Sequence, residues 1–323
     1  MNIDKDKLQK LTDMARLYYV QDMTQNEIAK QYGVSRPLIS RMLKEAKEQG
    51  IVKIEICPPY DEAALLIERA GRLFGIQGGV AVPDKGSDNE TNDAVSAAAL
   101  SYMQELGQAR IGIGWGHIIG NLVTYMEKRE PLDGVACRVC PLIGNSGVGN
   151  RNYHSNELVR VFAQQCHGAP EYFYAPFIVT SEQEREIIEE LESYQVIARA
   201  WAGLDVALVN IGNYPSVPDF ASEARYGDVL RKERAVGKIL NYYLDIHGKI
   251  FQSDTDYALQ IPLETLRTVD HVIGICSANT SPRALAGALR TGLIRHVAVP
   301  ESILREAVEL AEKEEADPAE KRG

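Results

Sequence analysis

The chain has 323 residues, with 45% apolar and 25% charged side chains, which is typical of a globular protein of about two domains. A net charge of −10 excludes a protein coated in nucleic acid, but it leaves room for a small basic region. No run approaches the roughly 18 apolar residues of a membrane span, and the charged first residues do not resemble a secretory signal. With five scattered cysteines, these features predict a cytoplasmic protein with no membrane partner.

The N-terminal segment, 1–56, differs from the rest in charge. It contains seven Lys and three Arg against four Asp and four Glu, a net of +2, so the remainder carries −12. Apolar spacing predicts a first helix over 5–21. Thr24 and Glu27 have the spacing of a capping box, which predicts the start of a second helix that ends near Tyr32.

A tight turn and a third helix follow. Gly33 can close the second helix in a left-handed conformation, and Val34 is expected to fill the corner. Ser35 predicts the next N-cap, and the third helix extends to about Gln49 with its basic side chains facing outward. Two short helices joined in this way form a helix-turn-helix, whose second helix enters the DNA major groove. The predicted DNA-binding residues are Thr24, Gln25, Ser35, Arg36, Pro37, Ser40, Arg41 and Lys44. An ordinary helix–helix corner with a solvated face is the simpler alternative.

Residues 51–56 alternate apolar and charged side chains, which predicts a half-buried strand that forms a wing beside the helices. Two prolines mark 57–60 as a linker. The predicted domains are therefore a helix-turn-helix domain at 1–56, a larger domain at 57–313 and a charged, disordered tail at 314–323.

Beyond the linker, strand and helix patterns alternate, which predicts a largely parallel α/β sheet covered on both faces. Predicted strands occupy 79–83, 109–116, 134–144, 171–179, 205–212, 270–277 and 294–300, with a hairpin at 238–251 that turns at His247-Gly248. Predicted helices occupy 90–106, 117–128, 155–166, 181–201 with a break near Tyr194, and 281–292.

Four loops rich in Gly, Asn or Ser follow strand patterns in the larger domain. They cover 112–117, 144–150, 212–218 and 276–283. Ligands bind beyond the carboxyl ends of parallel strands, and two of these loops lead into helices, whose N-termini attract anions. The loops predict a small-molecule pocket at this edge, although Gly and Asn are also ordinary turn residues.

Other sequence patterns do not indicate a metal site or a catalytic site. Cys137 and Cys140 form an isolated C-x-x-C in an apolar strand pattern, where free cysteine behaves as a small hydrophobic residue. Since zinc needs four converging ligands, we predict no metal, and nothing indicates a cofactor. His117 is the one histidine in the pocket loops, and a single histidine does not define a catalytic site.

Four segments carry a resemblance to a known family: "TQNEIAKQYGVSRPLISRMLKEAKEQGIVKIEI", "IGIGWG", "AVGKILNYYLDIHGKIF" and "RALAGALRTGLI". With them the whole chain resembles the SorC family of bacterial sugar-responsive transcriptional regulators. The resemblance implies a winged helix-turn-helix head followed by an α/β effector domain similar to the sugar-phosphate isomerase and CoA-transferase fold. It also implies a homo-oligomer, commonly a tetramer, that responds to sugars, polyols or phosphorylated sugars.

The resemblance further implies roles within the pocket. Gly114, Trp115 and Gly116, with the helix start that follows, would hold the anionic or polar end of the effector. Asp245 would accept hydrogen bonds from hydroxyl groups, and Arg283 would pair with a phosphate. The rest of the predicted effector site consists of His117, Asn145, Ser146, Asn213, Lys238 and Ser277.

Three positions depart from the family pattern. His117 and Ile118 replace a basic residue and a Thr, Lys238 replaces an Asp, and "CSAN" replaces a Gly-Gly pair. Lys238 could pair with Asp245, contact a phosphate or be solvated, and imine formation with an aldehyde is a further alternative. These departures leave the effector's identity open.

These patterns predict a transcription factor whose head binds a palindromic DNA operator. Effector binding in the larger domain would shift the population between DNA-competent and incompetent arrangements. The alternatives are a sugar-phosphate-processing enzyme of the isomerase-like fold, or an interaction module with a vestigial pocket. Operator-specific binding, turnover of sugar phosphates and the absence of any ligand response would distinguish the three.

Overall fold

The computed structural model describes residues 5–52, 61–106, 110–131, 137–218 and 222–316. Internal contacts divide the chain into two units, Met1–Tyr60 and Asp61–Gly323. The domain boundary predicted after residue 56 stays a prediction, because residues 53–60 lie outside the described part of the chain. Among the described residues, no helix is both long and apolar enough to span a bilayer.

The first unit is helical where it is described, with α1 (Lys5–Tyr19), α2 (Gln25–Tyr32) and α3 (Arg36–Glu48). One apolar stripe from each helix contributes to a shared core of Leu11, Met14, Ala15, Ile28, Ala29, Ile39, Leu43 and Ala46. Ile51 and Val52 pack against this core without forming a strand. The rest of the predicted wing strand and the predicted linker, 53–60, lie outside the described residues.

The second unit alternates strands and helices along most of its length. Its strands are β1 (Gly78–Val82), β2 (Arg110–Ile113), β3 (Arg138–Pro141), β4 (Ala169–Pro170), β5 (Val206–Asn213), β6 (Gly237–Ile239), β7 (Tyr242–Leu244), β8 (His271–Ile275) and β9 (His296–Pro300). Its helices are α4 (Glu62–Phe74), α5 (Asp88–Leu106), α6 (His117–Glu127), α7 (Ser155–Gln165), α8 (Glu182–Glu190), α9 (Glu192–Ala202), α10 (Ser222–Tyr226), α11 (Val229–Lys232), α12 (Leu263–Thr268), α13 (Pro282–Arg290) and α14 (Glu301–Ala316), with a 3-10 helix at Arg151–Tyr153.

Within the described residues, seven strands pair in parallel in the order β1-β9-β8-β5-β2-β3-β4. β6 and β7 form an antiparallel hairpin that pairs with the carboxyl end of β5, where Gly212 lies opposite Lys238. β5 is central, and its residues from Val206 to Ile211 are all buried, as a strand covered on both faces requires. The predicted parallel α/β architecture is confirmed.

Apolar side chains cover both faces of the sheet. On one face α5, α6 and α7 contribute residues such as Val95, Leu122 and Phe162 to a core with β2 and β3. On the other face α4, α9, α13 and α14 contribute residues such as Leu285 and Leu304. Helices on both faces leave the two ends of the strands as the places where loops can gather polar groups.

The strand predicted at 171–179 is wrong. This segment makes only isolated bridges, Asn145 with Pro176 and Ile178 with Ala258, beyond the two-residue edge strand β4. Pro170 and Pro176 have no N–H to donate, so they cannot continue a ladder of hydrogen bonds. The segment contributes buried Phe173 and Phe177 to the core instead.

The predicted hairpin turn at His247-Gly248 is confirmed, because Leu244 and Ile250 form an antiparallel bridge across it. The segment also contains an earlier turn that the sequence did not reveal. The β6–β7 hairpin turns at Leu240 and Asn241, where Leu240 has a φ of +52°. The register is set by β5, which pairs Ile211 with Ile239 and so ends β6 early. His247 and Gly248 form a separate turn after β7, in which the Gly248 N–H donates to the Asp245 carbonyl oxygen (3.2 Å).

Two further boundaries differ from the sequence predictions. The break between α8 and α9 falls at Leu191 rather than near Tyr194. α14 continues to Ala316, so the first residues of the predicted tail are helical, and Glu314 pairs with Arg290 (2.7 Å). Residues 317–323 lie outside the described part of the chain.

Candidate functional site

The helical unit begins α2 with a reciprocal cap. The Thr24 hydroxyl accepts a hydrogen bond from the Glu27 N–H (3.3 Å), and the Thr24 N–H and hydroxyl both donate to Glu27 Oε2 (2.8 Å each). The backbone and side-chain hydrogen bonds from Thr24 lower the pKa of Glu27. The predicted capping box is confirmed. However, the N–H and hydroxyl of Thr24, a predicted DNA-binding residue, are both engaged by the Glu27 carboxylate.

The turn after α2 leaves polar and apolar groups in water. Gly33 has left-handed φ and ψ angles of 65° and 31°, and its N–H donates to the Ala29 carbonyl oxygen. Val34 is 37% exposed, so the expectation that it fills the corner is wrong. Ser35 occupies the N-cap position of α3, but its side chain makes no capping hydrogen bond. Its hydroxyl is therefore available to another molecule.

One face of α3 is exposed and basic. Ile39, Leu43 and Ala46 are buried against the core, which turns the opposite face to water. That exposed face consists of Arg36, Pro37, Ser40, Arg41 and Lys44. Arg36 and Arg41 form no ion pair within the described part of the chain, whereas Lys44 lies 3.7 Å from Glu48.

The second unit contains a cavity of about 580 Å³ at the carboxyl ends of β2, β5 and β8. These three strands are neighbours in the sheet, so the loops that follow them converge. The lining is Trp115, Gly116, His117, Ile118, Asn150, Tyr153, Asn210, Ile211, Gly212, Asn213, Pro215, Ser216, Val217, Pro218, Lys238, Ser277, Asn279 and Thr280. The lining is largely uncharged and rich in amide and hydroxyl groups.

The N-terminus of α6 opens onto this cavity. Gly116 precedes the helix with φ 103° and ψ −179°, a region that is essentially restricted to glycine, and its N–H donates to the Asn152 carbonyl oxygen (2.7 Å). Gly116, His117 and Ile118 all line the cavity. The first N–H groups of a helix have no intrahelical acceptor, and they favour an anion.

Asn210, on the central strand β5, lines the cavity. Its side chain is buried, and Oδ1 has no hydrogen-bond partner within the described structure. Its Nδ2 lies 3.5 Å from the position of a Cβ at Gly116 and 3.7 Å from that of a Cβ at Gly212. Asn210 therefore lies between the α6 N-terminus and the carboxyl end of β5, and a buried carbonyl oxygen without a partner calls for a donor from a ligand or water.

Lys238 supplies a cation beside Asn210. It is 7% exposed on β6 and lines the cavity, and its Nζ lies 5.7 Å from the centre of the Tyr243 ring. The lysine stem passes over Gly212, where a Cβ would come within 3.3 Å of Lys238 Cε. The absence of a side chain at Gly212 thus makes room for the lysine to reach the cavity.

Other predicted effector residues are also in the cavity wall. Asn213 holds two loops together, because its amide donates to the Asn279 carbonyl oxygen (2.9 Å) and accepts from the Ser281 N–H (2.7 Å). His117 Nε2 lies 3.5 Å from Asn92 Nδ2. With these, the structure brings together the predicted residues Trp115, Gly116, His117, Asn213, Lys238 and Ser277.

Three predicted residues lie outside the lining because they support its walls. Gly114 packs under Leu240, whose Cδ2 would be 2.8 Å from a Cβ at Gly114. The Asn145 side-chain amide donates a hydrogen bond to the Phe173 carbonyl oxygen (3.0 Å), and so it holds the segment after β4 in place. Ser146 Oγ accepts a hydrogen bond from the Val148 N–H within the same loop (3.1 Å).

Asp245 and Arg283 are not brought to the cavity either. The Asp245 carboxylate accepts hydrogen bonds from the His247 and Lys249 N–H groups (2.9 Å each) and stabilises the turn after β7. Arg283 is exposed at the start of α13, and it does not line the cavity.

Sequence reasoning missed Asn210, Asn150, Tyr153 and Asn279. The sequence could have indicated Asn210, because it is the one polar residue in the apolar run "VALVNI" of a buried strand. A buried strand tolerates an amide only where a partner or a ligand satisfies it. The other three lie in loops whose convergence depends on strand order, which the sequence does not reveal.

The cysteines do not form a metal centre with other ligands in the described structure. Cys137 immediately precedes β3 and Cys140 lies within it; both are buried, and burial raises the pKa of Cys140. No group of three or more His, Cys, Asp or Glu side chains that could hold a metal occurs among the described residues.

A helix-turn-helix with a basic exposed face, joined to a parallel α/β domain with a polar cavity, defines a ligand-responsive DNA-binding regulator. Residues 59–308 match the Sugar-bind family model, described as "Putative sugar-binding domain". The chain is 31% identical over 297 residues to the sorbitol operon regulator of Klebsiella pneumoniae, covering 88% of this chain and 93% of that protein. It belongs to the SorC family of transcriptional regulators, which confirms the resemblance seen in the sequence.

Further relatives agree with this assignment. The deoxyribonucleoside regulator of Bacillus subtilis is 28% identical, with coverage of 92% of this chain and 96% of the relative. The crystal structure of the full-length sorbitol operon regulator SorC from Klebsiella pneumoniae superposes with a TM-score of 0.72 at 28% identity, covering 95% of this chain and all of that chain. The protein is thus a transcriptional regulator and not a sugar-phosphate-processing enzyme.

Proposed function

We propose that the protein controls a carbohydrate catabolic operon by binding an operator through α3 and a phosphorylated sugar or polyol in the cavity. The observation that carries the proposal is the convergence of the α6 N-terminus, Asn210 and Lys238 on one cavity. Sorbitol and deoxyribonucleoside regulators among its relatives support a carbohydrate-derived effector. The protein would act in the cytoplasm, where operator and effector meet.

The DNA-binding residues in this proposal are Ser35, Arg36, Pro37, Ser40, Arg41 and Lys44. Arginine can donate two hydrogen bonds to a guanine, and Lys44 suits a phosphate. Gln25, at the half-buried first position of α2, is a further candidate for a backbone contact. Thr24 is left out because its N–H and hydroxyl both serve Glu27.

A matched pair of variants tests the DNA-binding face. Arg41→Ala should weaken binding to a selected operator by roughly 1–3 kcal/mol, because it removes a base contact. Lys10→Ala removes an equal charge from the exposed surface of α1 and should change operator affinity far less. Fluorescence anisotropy at several salt concentrations gives both affinities. Equal affinity of the unaltered protein for operator and scrambled DNA would contradict operator recognition.

The cavity favours an effector with one anionic end and several hydroxyl groups. The anion would lie between the α6 N-terminus and Lys238, and the Asn210 amide would donate to it. Amides and hydroxyls of Asn150, Asn279 and Thr280 would meet the effector's hydroxyls. A volume of about 580 Å³ lies within the usual range for small-molecule sites.

Thermal denaturation with hexitols and hexitol 6-phosphates, and with pentitols and their phosphates, tests this effector class. A phosphorylated member should raise the unfolding midpoint more than its unphosphorylated partner, since only it carries the anion. Lys238→Met should remove most of that difference, whereas Arg283→Met, an equal charge change outside the cavity, should keep it. Equal shifts from both members of every pair would contradict an anionic effector.

The cavity would regulate DNA binding by a shift in population. An effector changes operator affinity only as far as it binds the DNA-competent and incompetent states differently. By reciprocity, operator DNA must change effector affinity by the same factor. Anisotropy titrations of operator with and without effector measure this factor, and an operator affinity that a saturating effector leaves unchanged would show that the two sites are not coupled.

We further propose that the protein is a homo-oligomer, a tetramer, which would let two helix-turn-helix pairs bind a palindromic operator. Ile187, Leu191 and Val196 on or beside α8 and α9 are 57%, 49% and 43% exposed, and α8 has no buried residue. Exposed apolar residues of this kind mark protein contacts. Light scattering should give a tetramer mass that Ile187→Glu lowers, and a monomer mass for the unaltered protein would contradict the assembly.

A further inference from the structure

The first turn of α3 presents one apolar side chain on an otherwise polar face. Pro37 is exposed at the second position of the helix. Ser40 and Arg41 follow it by three and four residues, so they are its neighbours on the helix surface. Arg36 and Lys44 lie on the same exposed face. The pyrrolidine ring of Pro37 is thus surrounded by hydrogen-bond donors and does not itself donate.

The backbone from Pro37 to Ile39 also offers no free hydrogen-bond donor to a base. Proline has no N–H, and the next two N–H groups, of Leu38 and Ile39, already donate to the Ser35 carbonyl oxygen (3.0 and 3.3 Å). The Ser35 hydroxyl makes no capping hydrogen bond. If this turn meets the edges of base pairs, Ser35 and the flanking arginines can make polar contacts, while Pro37 can make only an apolar one.

The major groove offers one apolar group for such a contact, the 5-methyl group of thymine. We propose that Pro37 reads this methyl group and so selects an A·T pair at one position of each operator half-site. The inference rests on the proposed binding of DNA through α3. A proline ring suits the role because it has almost no rotamer freedom to lose on burial.

Val34 is the competing apolar residue near this turn. It is 37% exposed, but it precedes the helix, and its N–H donates to the Ala29 carbonyl oxygen at the end of α2 (3.0 Å). The N-terminal residues of the second helix are the ones that contact base edges in this arrangement. Pro37 is therefore assigned the methyl contact, and Val34 serves as its control.

Deoxyuridine provides a direct test, since it lacks only the 5-methyl group and keeps the hydrogen-bonding pattern of thymine. Full-length protein is first used to select a duplex from a random-sequence pool. Each thymine of that duplex is then replaced singly by deoxyuridine, and the dissociation constant is measured by anisotropy. One position per half-site should weaken binding about fourfold, the effect of one buried methyl group.

Pro37→Ala should bind the thymine duplex more weakly and show no difference between thymine and deoxyuridine at that position. Val34→Ala should keep the full difference. The proposal is overturned if no deoxyuridine weakens binding, if Pro37→Ala keeps the difference, or if Val34→Ala removes it. Failure to select any duplex would instead count against operator recognition itself, so the two failures are distinguishable.

Discussion

The N-termini of α2 and α6 offer the same backbone chemistry but are used in opposite ways. At α2 the chain supplies its own anion, because Glu27 accepts hydrogen bonds from the Thr24 N–H and hydroxyl. At α6 the preceding residue is Gly116, which has no side chain to supply a cap, and the first turn lines a cavity. One helix start is closed by its own sequence, and the other is left for a ligand.

The difference shows that a helix N-terminus becomes a binding site only when its own chain leaves it unsatisfied. The α2 cap stabilises a small helical unit, and a unit of this size buries comparatively little apolar surface. The second unit has a large core on both sheet faces, so it can keep unsatisfied groups such as Asn210 Oδ1 at the cavity. Stability elsewhere offsets the cost of the open site.

The largest expected effect comes from closing the α6 N-terminus. Gly116→Ala places a methyl group 3.5 Å from Asn210 Nδ2 and forces alanine into a conformation that glycine alone adopts readily. We expect the unfolding free energy to fall by about 1–3 kcal/mol. Because the helix start must shift, effector affinity should fall at least about tenfold, a change of roughly 1.4 kcal/mol. Urea denaturation followed by fluorescence of Trp115 and Trp201 measures the stability, and calorimetry measures the affinity.

Gly147→Ala is the matched control for that variant. Gly147 lies in the loop after β3, has no left-handed φ, and a Cβ there would meet nothing within 4 Å. Stability and effector affinity should both stay close to those of the unaltered protein. Normal effector affinity in Gly116→Ala would show that the α6 N-terminus does not hold the ligand.

A smaller effect distinguishes the two caps within the helical unit. Thr24→Ala removes a complete capping box and should lower the stability of α2 by about 1 kcal/mol. Ser35→Ala should change stability little, because the Ser35 side chain makes no capping hydrogen bond, but it should weaken operator binding. Hydrogen exchange of the α2 and α3 amides separates the outcomes. Equal losses of protection would mean that Ser35 caps α3 in solution.

The smallest expected effect is a pH dependence of the α2 cap. Hydrogen bonds from Thr24 lower the pKa of Glu27 below 4.5, so the carboxylate contributes stability that is complete above that pH. That contribution is lost as the pH falls through the lowered pKa. Protection factors of the α2 amides should therefore decline in acid, and Glu27→Gln should remove this dependence. A decline of equal size in Glu27→Gln would assign it to other groups.

Local signals predicted the helical unit well. The capping box of Thr24 and Glu27, the left-handed Gly33 and the exposed face of α3 all depend on residues within four positions of one another. Val34 is exposed instead because burial at the corner depends on tertiary packing, which no local pattern specifies. In the second unit, the apolar runs predicted the parallel sheet, but not where its edge segments stop forming ladders.

The effector site was harder to predict because its residues are far apart in the sequence. Gly116 and Lys238 belong to loops and strands that sequence reasoning had already selected. Asn210 joins them only because β5 lies between β2 and β8 in the sheet. Asp245 was expected in the site only from the family resemblance, and the structure places its carboxylate in the turn after β7, where it accepts hydrogen bonds from the His247 and Lys249 N–H groups.

The sequence by itself therefore determined the helix caps, the basic exposed face of α3 and the alternation of strands and helices, since neighbouring residues produce these features. Only the tertiary structure decided which loops share a cavity and which polar side chains are left without partners there. The physical reason is that parallel strand order and register bring together groups from distant parts of the chain. No spacing rule along the sequence encodes that arrangement.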